Sequence, residues 1–402
     1  MTIDERRLVD FAIRLVSTPS FTGSEEACAR VVEDELAALG LDVQWQQVEN
    51  GRANVLGTWP GAGGGPTLMF NGHLDTSYSG RETWLAGIPG FQPQGFERDG
   101  RIYGLGISNM KGAVACYVEA VRALREADVR LRGDVMIAAV CGEIEKTQHG
   151  EAQGAEYRGY AAGTRYLVTH GGVADMCLLG EPTEGKVVLG HFGSLWARIG
   201  VGGDFVHTAF SEGRPNSILR MGELLAPIRE WCERWTADDS NTYRGVPAIA
   251  SIGAIRGGYE WRLSRTPQRT SVFLDVRVPP TRPMAEARRA VLDLARELGE
   301  AHSDWDVDGE VYVTAPGAAI DEGHELVGAI DEAHEAVFGA RPGRDVPRWF
   351  SDASALTAYG IPTVNYGTST GLMEPGKGES LEVEGLVKTA EVYAREARRV
   401  CA

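Results

Sequence analysis

A chain of 402 residues is too long for one ordinary hydrophobic core and comfortable for two. With 24% charged and 43% hydrophobic residues, it belongs to neither the disordered nor the membrane-spanning class. Its 56 acidic against 40 basic side chains give a formal charge of −16, which disfavours nucleic acid and anionic lipid as partners.

The amino terminus, "MTIDERRLVDFAIRLVSTPS", carries charges through its apolar stripe and lacks the uninterrupted core of a signal peptide, so a cytoplasmic protein is expected. Leu8, Phe11, Ala12, Leu15 and Val16 recur at helical spacing behind a possible cap at Asp4, and a second helix is predicted from Ser24 to near Gly40. "LDVQWQQV" alternates as a strand does. "PTLMFNGHLD" is instead a short apolar run, as expected of a strand buried on both faces. A helix over 110–126 follows, then two more buried runs, "DVMIAAVCGE" and "ADMCLLGEPT".

Buried strands alternating with helices predict an α/β sheet covered on both faces. After Gly185 the texture changes to "SLWARIGVGGD", a helix over 216–235, "SVFLDVRVPP" and a helix over 284–298, the pattern of a smaller α+β domain. After His302 the first texture returns. The expected organisation is a catalytic domain in two parts, 1–186 and 303–402, around an inserted domain at 187–302.

Chemistry-bearing residues gather at the ends of the apolar runs. His73 and Asp75 in "NGHLDT" are two apart, so on a strand they share a face, and Asp75 can fix the imidazole tautomer while the other nitrogen binds a metal. A structural histidine hydrogen-bonded at a strand end would leave the same trace. Glu143 in "CGEIE" and Glu181 in "LGEPT" close two further runs, and in open α/β sheets ligands sit outside the carboxyl ends of strands. Wet strand ends carry acids anyway, and the two readings weigh about equally from the residues alone. His207 in "GDFVHTAF" stands apart in the inserted segment. The six cysteines form no C-x-x-C pair, there is no G-x-S-x-G elbow, and "GAGGGP" has no following Lys-Ser/Thr of a phosphate loop.

Together "NGHLDT", "GLGISNMKG", "GEPT", "HFGSLWARI", "GDFVHTA", "NSI", "LDVRVPP" and "SDASALTAYGIPTVNYGTSTG" resemble, in order and over nearly the whole chain, peptidase family M20. This is the aminoacylase, succinyl-diaminopimelate desuccinylase and glutamate carboxypeptidase group. The resemblance implies a zinc-exopeptidase-like catalytic domain with helices on both faces of a mixed sheet, plus an inserted α+β lid that pairs subunits into a homodimer. It also implies a metal ligated by His73 and Glu181, with Asp75 behind the histidine and Glu143 as general base. His207 would cross from the partner's lid to the oxyanion, and Arg277 and Asn216 would bind substrate. For Arg277 a surface salt bridge explains the residue nearly as well.

The chain departs from that family at three positions. Asn109 stands where the family has its bridging aspartate, Ile144 where it has a second-metal carboxylate, and Pro375 where it has a histidine, if Glu379 is the glutamate four residues further on. All three fall on the second metal. One divalent ion per chain is therefore expected, zinc before manganese or cobalt, with Asn109 as a weak third donor. Rebuilt coordination of a second ion through Glu145, His149 or Glu374 is the second choice. The expected activity is hydrolysis of a C–N amide bond in a small carboxylate-bearing molecule such as an N-acyl amino acid or dipeptide. An atypical aminohydrolase or biosynthetic enzyme of specialised metabolism, or an inactive ligand-binding homologue, ranks below it.

Overall fold

The computed structural model describes residues 2–368 and 378–402. The chain opens with α1 (Glu5–Val16), where the Asp4 carboxylate accepts from the Arg7 amide at 3.0 Å as an N-cap, and continues with α2 (Glu26–Ala38). Then come β1 (Asp42–Glu49), β2 (Arg52–Trp59), β3 (Leu68–His73), α3 (Gly112–Glu126), β4 (Val135–Val140), α4 (Ala162–Thr169), β5 (Met176–Leu179) and β6 (Val187–Val188).

The chain next forms β7 (Gly193–Gly202), α5 (Ser217–Ala237), β8 (Ala250–Gly257), β9 (Arg269–Val278), α6 (Met284–Ala301) and β10 (Val307–Ala315). It finishes with α7 (Glu325–Phe338), β11 (Arg344–Asp345), α8 (Ala353–Ala358), β12 (Thr363–Asn365) and α9 (Val383–Val400).

Two compact units result. One comprises Met1–Leu189, Ala319–Asp345 and Ser351–Ala402; the other comprises Gly190–Ala318 and Val346–Phe350. The second unit runs past residue 302 because β10 pairs with β7 in its sheet, a partnership no local pattern announces. It starts at Gly190 because β6 belongs to the other sheet.

The larger unit is an eight-stranded mixed sheet in the order β1-β2-β4-β3-β5-β12-β6-β11, with β4, β3, β5 and β12 parallel neighbours. β3, β4 and β5 are buried along their whole length, which explains their unbroken apolar runs. Alternation sends Met69 to one face, with Leu167 of α4 and Leu356 of α8, and Phe70 to the other, stacked 5.0 Å from Tyr117 of α3 and tilted 5.6 Å from Tyr393 of α9. The smaller unit has the antiparallel order β8-β9-β7-β10, with Met221, Leu224 and Ile228 of α5 and Val291 and Leu294 of α6 in its core. All six cysteines are buried and free. Among the described residues, no helix is long and apolar enough to cross a membrane.

One core residue carries a cost. Glu396 of α9 is fully buried and, among the described residues, neither carboxyl oxygen meets a hydrogen-bond partner, so burial pushes it well above the ordinary carboxylate range. Among the described residues, the ionisable groups that feel its charge are Tyr366, Tyr393, Cys177 and Cys401, all neutral at pH 7. With a folded pKa above the unfolded one, stability is greatest below the unfolded value and falls as pH rises toward the folded value. Glu396→Met should stabilise the protein by about 1–3 kcal/mol, the typical cost of an unsatisfied buried polar group. In urea melts, the gap between variant and wild type should widen from pH 5 to pH 8.

Candidate active site

β4, β3 and β5 lie side by side and parallel, so their carboxyl ends open on one crevice. His73 is the last residue of β3, Glu143 follows the end of β4 and Glu181 the end of β5. All three are buried, and a ligand atom from each lies within 4.8 Å of the others. His73 Nε2 is 3.7 Å from Glu143 Oε2 and 3.9 Å from Glu181 Oε1. The turn that delivers Glu143 passes through Gly142 at φ 68°, where a Cβ would collide with the Arg52 guanidinium.

Asp75 lies just past β3 and its side chain turns back beneath the site. Its Oδ1 accepts from the Glu143 amide at 2.9 Å; its Oδ2 accepts from the Ile144 amide at 3.2 Å and from Thr22 Oγ1 at 2.9 Å. Burial pushes this carboxyl up, but His73 and these hydrogen bonds outweigh it and hold Asp75 at about 2. His73 Nδ1 faces the Asp75 carbonyl at 3.0 Å and Oδ1 at 3.4 Å. His73 Nε2 faces the amide oxygen of Asn109 at 2.9 Å. Both ring nitrogens thus meet acceptors. Burial alone would lower the imidazole, yet Asp75, Glu143 and Glu181 hold it well above its ordinary value. Glu143 and Glu181 are both raised, first by burial, with His73 opposing.

Glu145 does not continue a strand, because β4 ends at Val140 and residues 141–145 are irregular. Among the described residues, the metal-competent group contains neither Glu145 nor His149, which is paired with Ala152. Ile144 is buried; its amide donates to Asp75, and its carbonyl accepts from the Lys146 amide at 2.7 Å and the Tyr160 amide at 3.1 Å. Pro375 and Glu374 lie outside the described residues.

Two groups near the site carry no signal in the sequence reading. Asp352, which precedes α8, is buried; its Oδ2 accepts from Thr164 Oγ1 at 2.8 Å and, among the described residues, its Oδ1 meets no partner. Burial pushes it up to about 7, while His73 and Thr164 pull down and Glu181 and Asp75 push up. Behind Asp75, the fully buried Glu25 receives Arg52 Nε at 2.9 Å and Nη2 at 2.8 Å. Burial, then the Asp75 charge, pushes Glu25 up to about 7 against the pull of Arg52. Arg52→Met leaves Glu25 buried beside Asp75 without its cation. It should cost about 3–5 kcal/mol, measured by denaturant unfolding.

The remaining candidates lie in the smaller unit. His207 is exposed and its Nδ1 accepts from the Ala209 amide at 3.1 Å. Asn216 is the N-cap of α5, its Oδ1 accepting from Ile218 N at 2.9 Å and Leu219 N at 3.4 Å. That oxygen has a helix-capping task, so a substrate could meet only the amide's NH2 end. Arg277 on β9 pairs with Asp275 at 2.7 Å.

The donor set fits a divalent cation. Among the described residues Glu181 Oε1, which is buried, has no hydrogen-bond partner and faces an imidazole and a second carboxylate, the N/O ligands that suit zinc.

A succinyl-diaminopimelate desuccinylase of Gluconacetobacter diazotrophicus is 28% identical over 394 residues, covering 94% of this chain and 93% of the relative. A second, from Halorhodospira halophila, is 27% identical over 367 residues and covers 89% of each chain. Among solved structures, a tripeptidase from Staphylococcus aureus superposes with a TM-score of 0.77 at 18% identity, covering 100% of both chains. Human carnosine dipeptidase 1 gives 0.74 at 14% identity, covering 99% of this chain and 96% of the other. These two likenesses concern the fold alone. The model of peptidase family M20/M25/M40 matches residues 69–399, and the chain belongs to that family.

Proposed function

We propose that this metal-dependent amide hydrolase uses one divalent ion, zinc before manganese or cobalt, to cleave a small carboxylate-bearing N-acyl amino acid or dipeptide. The observation that carries the single-ion reading is the set of three buried ligand atoms within 4.8 Å, next to which Asn109 and Ile144 stand in place of acids. His73 and Glu181 would hold the ion, with the Asn109 amide oxygen as third donor. A bound dication supplies Lewis acidity to the reacting water and carbonyl.

The chain's own residues do the rest. Glu143 accepts the proton of the attacking water and hands it to the departing nitrogen, a task suited to a buried carboxyl whose pKa is raised. Asp75, held low and fixed by three donors, keeps the His73 ring oriented. His207 of a partner subunit would donate to the developing oxyanion, a contribution of about 3 kcal/mol for such donors. Arg277 would pair with the substrate carboxylate, and the Asn216 NH2 group would lie beside it.

A homodimer built through residues 187–302 is supported by the edge strand β8, whose Ile252 and Ile255 are exposed. An acyl group ending in a carboxylate, as in the substrate named for the two desuccinylases, is the first to try. The aminohydrolase and ligand-binding alternatives are not favoured by these relatives. Chelator-stripped protein given back Zn²⁺ should release free amino acid from a panel of N-succinyl and N-acetyl amino acids and dipeptides. Ammonia as product, or turnover indifferent to the metal, would refute the reading.

A further inference from the structure

The loop that carries Asn109 closes in one π-helical turn, Ile107–Lys111, broken by non-helical backbone at Asn109 and Met110. Gly106 sits at φ 84° with no room for a side chain, a Cβ there lying 2.7 Å from a Thr76 methyl, and Asn109 itself has φ −130°. Buried amides in such a loop need partners from elsewhere. They find one in a residue more than 270 positions away: Glu379 Oε2 accepts from the Gly106 amide at 3.0 Å. Its Oε1 accepts from the Ser108 amide at 3.1 Å and from Ser108 Oγ at 2.8 Å. The carboxylate is buried, and its own backbone is tied by its amide to the Pro89 carbonyl at 3.0 Å.

On the other side of Asn109, the buried Lys111 donates its ammonium to the carbonyls of Leu15 at 3.1 Å and Thr18 at 3.0 Å. Lys111 also attracts Glu379 electrostatically. The short segment is thus pinned on both flanks by buried charged groups, and between the pins lie the buried Met110 and the polar Asn109, whose oxygen is 2.9 Å from His73 Nε2.

A neutral amide is a poor donor. An aspartate is drawn to a cation by charge, whereas a carboxamide gains only what its placement gives it. We propose that Glu379 is a positioning residue for the metal centre, holding the 106–108 backbone so that the Asn109 oxygen is presented where a carboxylate would have placed itself. The proposal rests on the reading of Asn109 as third donor. Loss of such outer-sphere support typically costs about 10–100-fold in metal affinity.

The test is a double-mutant cycle on the Zn²⁺ dissociation constant of the full-length protein, measured by calorimetry against a competing chelator. Wild type, Glu379→Gln, Asn109→Ala and the double variant are compared, with Ser108→Ala as a milder replacement should Glu379→Gln not fold. Glu379→Gln should weaken Zn²⁺ about ten-fold in the wild-type background and have little effect once Asn109 is alanine. Independent, multiplying losses would mean that Glu379 supports the fold without acting through Asn109, and would overturn the proposal alone. An Asn109→Ala protein with wild-type affinity would overturn the donor reading and the proposal together.

Discussion

Glu143→Gln should lower kcat by about 10²–10⁴-fold, the range expected when a general base is lost, while Zn²⁺ uptake stays at the wild-type stoichiometry. The separation of the two readouts decides Glu143's role. Its Oε2 is 3.7 Å from His73 Nε2, close enough to belong to the metal-competent group, so proximity alone does not tell base from ligand. A ligand carboxylate and a base carboxylate respond differently to the isosteric amide. If Glu143 is a ligand, the substitution weakens the site and elemental analysis reads below one ion per chain. If it is the base, the substitution leaves the ion in place and removes only the proton acceptor. The variant is not expected to unfold, because what ties this position into the fold is the backbone amide that donates to Asp75. A protein with full zinc and near wild-type turnover would dismiss Glu143 as the base.

His73, Glu143 and Glu181 are legible in the sequence because strands buried on both faces are written as unbroken apolar runs, and a polar residue where such a run stops stands out. The order of the strands in the sheet is not written anywhere. Only the placement of β3 between β4 and β5 makes the three endings one site. Asp352 and Glu379 escaped a functional assignment for a related reason. Each is a single acid in a short irregular stretch, and its partners, Thr164 for the first, Gly106 and Ser108 for the second, are 188 to 273 residues distant. No period links residues so far apart. Asn216 illustrates the opposite hazard: an asparagine before a helix is an ordinary cap, and the structure uses its oxygen as one. Where the smaller unit ends is hidden in the sequence for a similar reason, since β10 is a strand whichever sheet it joins.

Wild-type protein equilibrated with excess Zn²⁺ and desalted should retain one ion per chain, His73→Ala should retain none, and Asn109→Asp should still retain one. The last outcome is the informative one. Were the asparagine the sole reason for a single ion, restoring the carboxylate would recruit a second. A bridging carboxylate, however, holds a second dication only if that ion has ligands of its own. At the neighbouring position the chain offers Ile144, a buried hydrocarbon whose amide is already committed to Asp75. Burying a second dication against it would remove the ion's water without replacing it by charge or lone pairs. What Asn109→Asp should change is the affinity for the first ion, which gains a formal charge in place of a dipole and binds more tightly. Two zincs in the wild type would mean that a carboxylate or imidazole outside the described cluster, with Glu145, His149 and Glu374 as the candidates, has rebuilt the second site. Two zincs appearing only in Asn109→Asp would mean that the missing bridge, and not the apolar Ile144, is what keeps the second ion out.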